Sequence, residues 1–105
     1  NIGENTFSGP GTCLSCAGHP IYPSKRIVEG ISTSKPITIE NDVWIGANCT
    51  VFGGVTIGAG TVIGGGSVVT KDIPSGVVAA GNPCRVLRPI TEEDRINLTQ
   101  DFRAL

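Results

Sequence analysis

β-Branched aliphatic residues recur at every sixth position of this chain, in six repeats without a break. The fourth position after each is small or branched, and glycine directly follows three of them. A six-residue period does not fit the 3.6-residue turn of an α-helix, and self-similarity at a short fixed period marks a solenoid of stacked parallel strands. The pattern therefore predicts an all-β solenoid. The six aliphatic residues are Ile39, Ile45, Val51, Ile57, Ile63 and Val69.

Each six-residue unit, or hexad, supplies one short strand and one turn, and three hexads close a triangular coil. The β-branched side chain faces the interior, where its stiff rotamer costs little and it stacks on its counterpart in the next coil. Residues 39–74 are then about two coils around a narrow apolar core. We expect the register to slip after Pro74, at Ser75-Gly76.

A looser copy of the repeat begins at Ile2 and places Ser8 where an aliphatic residue belongs. We therefore expect the first coil to be less well packed than the later ones. Residues 20–36 have no hexad phase and carry several charges, so they are interpreted as a loop that leaves the solenoid. Loops of this length in a compact domain are usually functional or mobile.

The C-terminal segment has the pattern of a short helix. Thr91 is a suitable N-cap, residues 92–94 place three acidic side chains in the first turn, and Leu98, Phe102 and Leu105 follow on one face. Such a helix would cap the open end of the solenoid. The predicted organisation is one β-helix domain over residues 1–90, with an extended loop at 20–36, and a C-terminal helix or tail over 91–105.

Composition narrows the class of protein. The 105 residues carry a net charge of −1 and contain no apolar run of membrane-spanning length, which argues against nucleic-acid and membrane partners. Four cysteines without a disulfide framework favour a reducing cytoplasm. The chain begins with Asn1 and contains no methionine, so we expect it to be processed or truncated.

Cys13 and Cys16 form a C-x-x-C pair, a spacing found in redox and metal sites. No second pair accompanies them, the chain has a single histidine, and both cysteines fall outside the inward register of their hexads. A metal site is therefore not expected. Cys49 occupies an interior repeat position and is interpreted as a small hydrophobic residue.

His19 stands where the regular coil gives way to the loop, and Pro20 after it biases its backbone towards an extended conformation. Histidine has an ordinary pKa of about 6.5, so a neutral imidazole at this junction could act as a general base. A lone histidine without any catalytic role fits the same residues.

Three cations, Lys71, Arg85 and Arg88, concentrate positive charge near the end of the solenoid, and Gly64-Gly65-Gly66 removes side chains from one stretch of its wall. A smooth groove beside these cations would suit a ligand with phosphates at one end and a slender arm, and arginine favours forked phosphate contacts. A solvated basic face explains the same residues equally well.

The order and spacing of several motifs, over nearly the whole chain, resemble the hexapeptide-repeat O-acetyltransferases of the galactoside and maltose type. The motifs lie at residues 2–5, 18–20, 41–46, 54–58, 66–74 and 80–86.

The resemblance implies a left-handed parallel β-helix that forms a homotrimer, with sites between subunits. It also implies transfer of an acetyl group from acetyl-CoA to a hydroxyl of a sugar-like acceptor, without a metal. His19 matches the catalytic base of the family. The positions that match coenzyme-contacting residues are Trp44, Ala47, Gly65, Thr70, Lys71, Arg85 and Arg88.

Other interpretations stay open. A xenobiotic acetyltransferase would share the base and the coenzyme groove, and a catalytically inactive structural β-helix would share the fold. A serine acetyltransferase usually has an aspartate shortly before its histidine, where this chain has Ala17 and Gly18. A γ-type carbonic anhydrase needs three histidines for zinc, which the single histidine excludes.

Overall fold

A computed structural model describes residues 1–18 and 33–95 of the protein. Within these ranges the chain forms twelve short β-strands and one turn of 3₁₀ helix at Glu92–Asp94. The strands are β1 (Phe7–Ser8), β2 (Cys13–Ser15), β3 (Ala17–Gly18), β4 (Thr33–Ser34), β5 (Thr38–Ile39), β6 (Trp44–Ile45), β7 (Thr50–Phe52), β8 (Thr56–Ile57), β9 (Val62–Ile63), β10 (Val68–Val69), β11 (Val77–Ala80) and β12 (Arg85–Pro89).

Parallel pairing repeats along the chain every 18 residues, which is three hexads. β5 lies beside β8, β6 beside β9, and β7 beside β10, so that each coil adds one strand to each of three rows. This is the stack of triangular coils that the hexad pattern predicts. The pairs that set the repeat are Thr38 with Thr56, Trp44 with Val62, and Thr50 with Val68.

The three rows form the three faces of the stack. Face A consists of β5 and β8, extended at its two ends by single bridges to Ile2 and Ile73. Face B is the five-stranded sheet β1-β6-β9-β11-β12, in which β12 alone is antiparallel to its neighbour. Face C is the three-stranded sheet β2-β7-β10.

The core is the column of hexad residues inside the coils. All six predicted aliphatic residues are at most 2% exposed, and the residues four positions after them are buried as well. Two of those, Thr61 and Ser67, are polar. The Thr61 hydroxyl donates to the Pro74 carbonyl at 2.7 Å, and the Ser67 hydroxyl accepts from the Gly81 N–H at 3.1 Å. Both hydroxyls are therefore buried with their hydrogen bonds satisfied.

The register shifts earlier than predicted. Ile57 pairs with Ile73 and Val62 pairs with Val78, a separation of 16 residues instead of 18. Since the 18-residue spacing still holds at Val69, the repeat is shortened by two residues between Val69 and Ile73. The prediction that the register slips after Pro74 was therefore wrong.

Asp72 is the physical reason for the shorter corner. Its Oδ1 accepts a hydrogen bond from the Thr56 N–H at 2.8 Å, and the N–H of Ile73 then donates to the Thr56 carbonyl at 2.9 Å. A side-chain acceptor thus takes the place of a backbone acceptor, and the turn closes with two fewer residues.

The first coil keeps the predicted register, because Ile2, Ser8 and Leu14 pair with Ile39, Ile45 and Val51 respectively. Its packing is poorer, as predicted. Ile2 is 61% exposed, and a cavity of about 190 Å³ opens at this end of the stack. Ser8 lines this cavity together with Phe7 and Leu14, which are exposed as well.

The predicted loop at 20–36 ends in a strand. β3 and β4 form an antiparallel pair in which Ala17 lies opposite Ser34 and Gly18 opposite Thr33. Residues 33–34 are therefore part of a short ladder within the predicted loop segment. Their backbone groups pair with those of β3, a partner that local sequence does not reveal. Residues 19–32 lie outside the described part of the chain.

The predicted C-terminal helix is described only as far as Arg95, and its first residues form the 3₁₀ turn. The Thr91 N–H donates to Asp94 Oδ2 at 2.9 Å, so the acidic first turn does cap its own N-terminus. Residues 96–105, which hold the predicted apolar face, lie outside the described residues. No helix in the described part of the chain is long and apolar enough to cross a membrane.

Candidate functional site

His19, the predicted general base, lies outside the described residues, and its role stays a prediction. The last described residue before it is Gly18, which ends β3 opposite Thr33. The described residues on the two sides of the segment that contains His19 are therefore joined to each other by the pairing of β3 with β4.

The predicted coenzyme residues fall on two corners of the coil and on face B. Residues 46–49 and 64–67 connect face B to face C, and we call them the B–C corner; Ala47 and Gly65 lie there. Residues 53–55 and 70–72 connect face C to face A, and we call them the C–A corner; Thr70 and Lys71 lie there. Trp44, Arg85 and Arg88 belong to face B.

The B–C corner is almost free of side chains because successive backbones touch. A Cβ on Gly46 would lie 2.5 Å from the nitrogen and 2.7 Å from the Cα of Gly65, and the Gly66 N–H donates to the Ala47 carbonyl at 2.8 Å. Gly65 itself faces outward with room to spare, since its Cβ would first meet the Ala47 oxygen at 3.4 Å. This is the smooth stretch of wall that the sequence predicts.

This close contact leads to a test of stability. Gly46→Ala is expected to lower the free energy of unfolding by about 2 to 3 kcal/mol, because the added methyl overlaps backbone that cannot move aside without breaking the stack. Gly65→Ala, one coil along the same corner, should cost less than about 1 kcal/mol. Urea unfolding of both variants measures the difference, and equal midpoints would contradict the direct backbone contact.

Trp44 lies on the outward side of β6, and its ring stacks on that of Phe7. The ring centroids are 6.0 Å apart with an interplanar angle of 22°, and Trp44 is 43% exposed. Val62 and Val78 continue the same outward row on β9 and β11. We call Phe7, Trp44, Val62 and Val78 the apolar strip of face B.

Phe7 is not among the site residues predicted from the sequence. The signal was available in the hexad register, since Phe7 precedes Ser8 as Trp44 precedes Ile45, which places both aromatic rings on the same side of neighbouring strands.

Both arginines lie on β12, the antiparallel strand at the end of face B. Arg85 is opposite Ala80, next to the B–C corner, and Arg88 is opposite Val78, in line with the apolar strip. Lys71 and both arginines are exposed, but the strand register separates Lys71 from the arginines by placing it at the other corner.

Arg88 is held by a carboxylate that the sequence analysis did not assign to the site. Its Nη1 donates to Asp94 Oδ2 at 2.8 Å and its Nη2 to Asp94 Oδ1 at 2.9 Å. The hydrogen bond from Arg88, followed by the one from the Thr91 backbone, lowers the pKa of Asp94 to about 2. Since this pKa is below the ordinary value of about 3.9, the ion pair is present at neutral pH and is lost only as the pH falls through about 2.

Residues 36–71 match the family of bacterial transferases described as hexapeptide, six repeats. This range contains all six of the unbroken hexad aliphatic residues. These residues resemble the bacterial transferase hexapeptide-repeat family. Over nearly its whole length the chain also resembles the galactoside O-acetyltransferases, as the sequence motifs predict.

Individual relatives define the extent of the likeness. The galactoside O-acetyltransferase of Escherichia coli K12 is 49% identical over 102 residues, which is 97% of this chain and 50% of that protein. A galactoside acetyltransferase solved in complex with coenzyme A superposes with a TM-score of 0.86 at 50% identity, covering 92% of this chain and 48% of that one. A Vibrio cholerae hexapeptide-repeat acetyltransferase complexed with acetyl-coenzyme A has a TM-score of 0.82 at 40% identity, over 86% and 49%.

This hexapeptide-repeat chain thus spans about half the length of the curated relatives that it matches.

The four cysteines are all free thiols: Cys13 and Cys16 are exposed, and Cys49 and Cys84 are buried. Cys49 is the interior hydrophobic residue that the repeat predicts, and burial raises the pKa of the Cys84 thiol. Within residues 1–18 and 33–95, no cluster of three or more His, Cys, Asp or Glu side chains could hold a metal ion.

Proposed function

We propose that this chain carries the coenzyme site of an O-acetyltransferase, which moves an acetyl group from acetyl-CoA to a hydroxyl of a sugar-like acceptor. The observation that carries the proposal is the identity of about half the residues, over almost the entire chain, with a galactoside O-acetyltransferase. Solved relatives of the same architecture hold coenzyme A and acetyl-coenzyme A.

The geometry of the described residues fits a long, slender ligand with phosphates. The bare backbone at Ala47 and Gly65 leaves room for the pantetheine arm, and Trp44 offers an exposed ring beside it. Arg85 and Arg88 on the neighbouring strand supply forked donors for the phosphates.

Thr70 and Lys71 support a site shared between subunits. One chain places them on the C–A corner, across face C from Gly65 on the B–C corner. A single ligand that uses both corners needs the B–C corner of one copy beside the C–A corner of another. Such a contact between two different corners is heterologous and can close a ring, and the resemblance to the O-acetyltransferases implies that this ring is a homotrimer.

The remaining features are proposed from the resemblance to the hexapeptide-repeat O-acetyltransferases. We take the coils to be left-handed, residues 1–90 to be one β-helix domain with an extended loop, and residues 91–105 to be a C-terminal helix or tail. The proposed location is the cytoplasm, and the reaction needs no metal.

His19 supplies the proposed acid–base chemistry. The neutral imidazole accepts the proton of the acceptor hydroxyl as its oxygen attacks the thioester carbonyl carbon. A tetrahedral intermediate forms, and its negative oxygen requires an N–H donor. When the carbon–sulfur bond breaks, the coenzyme A thiolate leaves and takes the proton from the imidazolium, which restores the neutral histidine.

An acceptor panel tests the function. The purified chain is incubated with acetyl-CoA and with galactosides, glucosides or maltose, and an antibiotic hydroxyl serves as the non-sugar comparison. Because Cys13 and Cys16 are exposed, the acetylated product is detected by mass spectrometry instead of a thiol reagent. We expect acetylation of a sugar hydroxyl and a native mass of three times 10.8 kDa. Absence of both coenzyme A binding and product would overturn the proposal.

A further inference from the structure

The ion pair between Arg88 and Asp94 uses a defined part of the guanidinium. Nη1 donates one hydrogen to Asp94 Oδ2 and the other to the Pro89 carbonyl at 3.1 Å, and Nη2 donates one hydrogen to Asp94 Oδ1. The carboxylate therefore occupies the end of the fork, between the two terminal nitrogens.

Two of the five N–H donors of Arg88 are left over. They are the N–H of Nε and the second hydrogen of Nη2, and they lie side by side along the other edge of the planar group. This edge has the spacing that binds two oxygens of one phosphate. Arg88 is 54% exposed, and no acceptor among the described residues occupies this edge.

Asp94 is itself held in place from the solenoid. The Ile90 N–H donates to the Gly76 carbonyl at 2.8 Å, which ties the segment after β12 to the last coil. Two hydrogen bonds of 2.9 Å then join Thr91 to Asp94, one from the Thr91 N–H to Oδ2 and one from the Asp94 N–H to the Thr91 carbonyl. The carboxylate is thus a fixed point against which a long, exposed side chain can be oriented.

We propose that Asp94 is a positioning residue, which holds the Arg88 guanidinium so that its free Nε–Nη2 edge receives a phosphate of acetyl-CoA. The inference rests on the proposed coenzyme site. An unheld arginine has several rotatable bonds to order when it binds a phosphate, and Asp94 removes much of that cost in advance. The negative charge of Asp94 by itself repels a phosphate and would weaken binding. Weaker binding after removal of this charge therefore indicates that Asp94 orients Arg88, and tighter binding indicates that its charge dominates.

The test is calorimetric binding of coenzyme A and of 3′-dephospho-coenzyme A to the full chain. The variants are Asp94→Asn, Arg88→Ala and the double variant, and Glu93→Gln is the matched control because it removes one exposed negative charge from the same turn. Arg88→Ala should weaken coenzyme A binding about 10-fold or more, and Asp94→Asn about 3- to 10-fold. The double variant should bind no more weakly than Arg88→Ala alone, and Glu93→Gln should stay within about twofold of the parent.

Comparison of the two ligands identifies the phosphate. If the free edge faces the 3′-phosphate, Asp94→Asn and Arg88→Ala both shrink the preference for coenzyme A over the dephospho form. If it faces the diphosphate, both ligands weaken together. If Asp94 affects only chain stability, Asp94→Asn should bind both ligands as tightly as Glu93→Gln does. A positioning role instead raises KM for acetyl-CoA while kcat is unchanged.

Four results overturn the inference, and they differ in what else they affect. Tighter coenzyme A binding by Asp94→Asn would show that Asp94 competes with the phosphate for Arg88. Binding equal to that of Glu93→Gln would show that Asp94 does not contribute to coenzyme binding. In both cases the proposed function stands. Unchanged binding by Arg88→Ala removes Arg88 from the coenzyme site as well. Absence of coenzyme A binding by the parent chain removes the proposed function itself.

Discussion

Replacement of His19 by alanine is expected to lower the rate of acetyl transfer about 10²- to 10⁴-fold, the usual contribution of a general base. Without the imidazole, the acceptor hydroxyl has to attack while it still carries its proton, and the departing thiolate has no proton donor beside it. Steady-state kcat, measured with the sugar found in the acceptor panel, gives the size of the effect.

Two measurements distinguish an effect on the chemical step from an effect on coenzyme binding. Coenzyme A binding by His19→Ala should match that of the parent chain, because none of the proposed phosphate contacts involves the loop. Arg88→Ala is the complementary variant, with a raised KM for acetyl-CoA and a smaller change in kcat. A His19→Ala variant with full activity would exclude the proposed mechanism and leave the coenzyme site standing.

Ile57→Asn is expected to destabilise the fold by at least about 4 kcal/mol, because it removes a buried aliphatic side chain and leaves an amide without hydrogen-bond partners. Ile57 is 0% exposed, and its strand position lies between Ile39 on one side and Ile73 on the other. Domains of this size have total stabilities of about 5 to 15 kcal/mol, so much of the protein should unfold.

Thr56→Asn is the matched control. Thr56 precedes Ile57 on β8, and its side chain points outward, while its N–H keeps the bond to Asp72 in the variant. This substitution should cost less than about 1 kcal/mol. Urea unfolding followed by circular dichroism compares the two variants, and equal midpoints would mean that the hexad position does not define the core.

The hexad pattern predicted the interior of the protein well. Since strand side chains alternate strictly between the two sides, a β-branched residue at every sixth position assigns inward and outward positions throughout the coil. Ile39 to Val69 are therefore buried where the pattern places them. The pattern failed at the shortened corner, because Ile73 fits two positions of the repeat. It is the fourth residue after Val69, and it is also the next inward aliphatic residue of the hexad series. Its bridge to Ile57 shows that it takes the second position.

The candidate site was predicted residue by residue from the family motifs, but its arrangement was not. The hexad period places Gly65 and Lys71, which are six residues apart, on successive corners, but it does not reveal that Arg85 and Arg88 lie on an antiparallel strand of face B, away from Lys71. Phe7 and Asp94 were missed for a related reason. Phe7 contacts Trp44 across 37 residues of sequence. Asp94 has the pattern of an ordinary acidic residue at the start of a helix, and this pattern does not reveal its contact with Arg88.

The sequence by itself determined the repeat, the buried column and the resemblance to sugar O-acetyltransferases, because a period of six and a set of short motifs are properties of neighbouring residues. Only the tertiary structure decided where the coil shortens, on which face the two arginines lie, and which edge of Arg88 is free. These depend on backbone and side-chain hydrogen bonds, some of them between positions far apart in the chain, and bonds of that kind exist only once the coils have stacked.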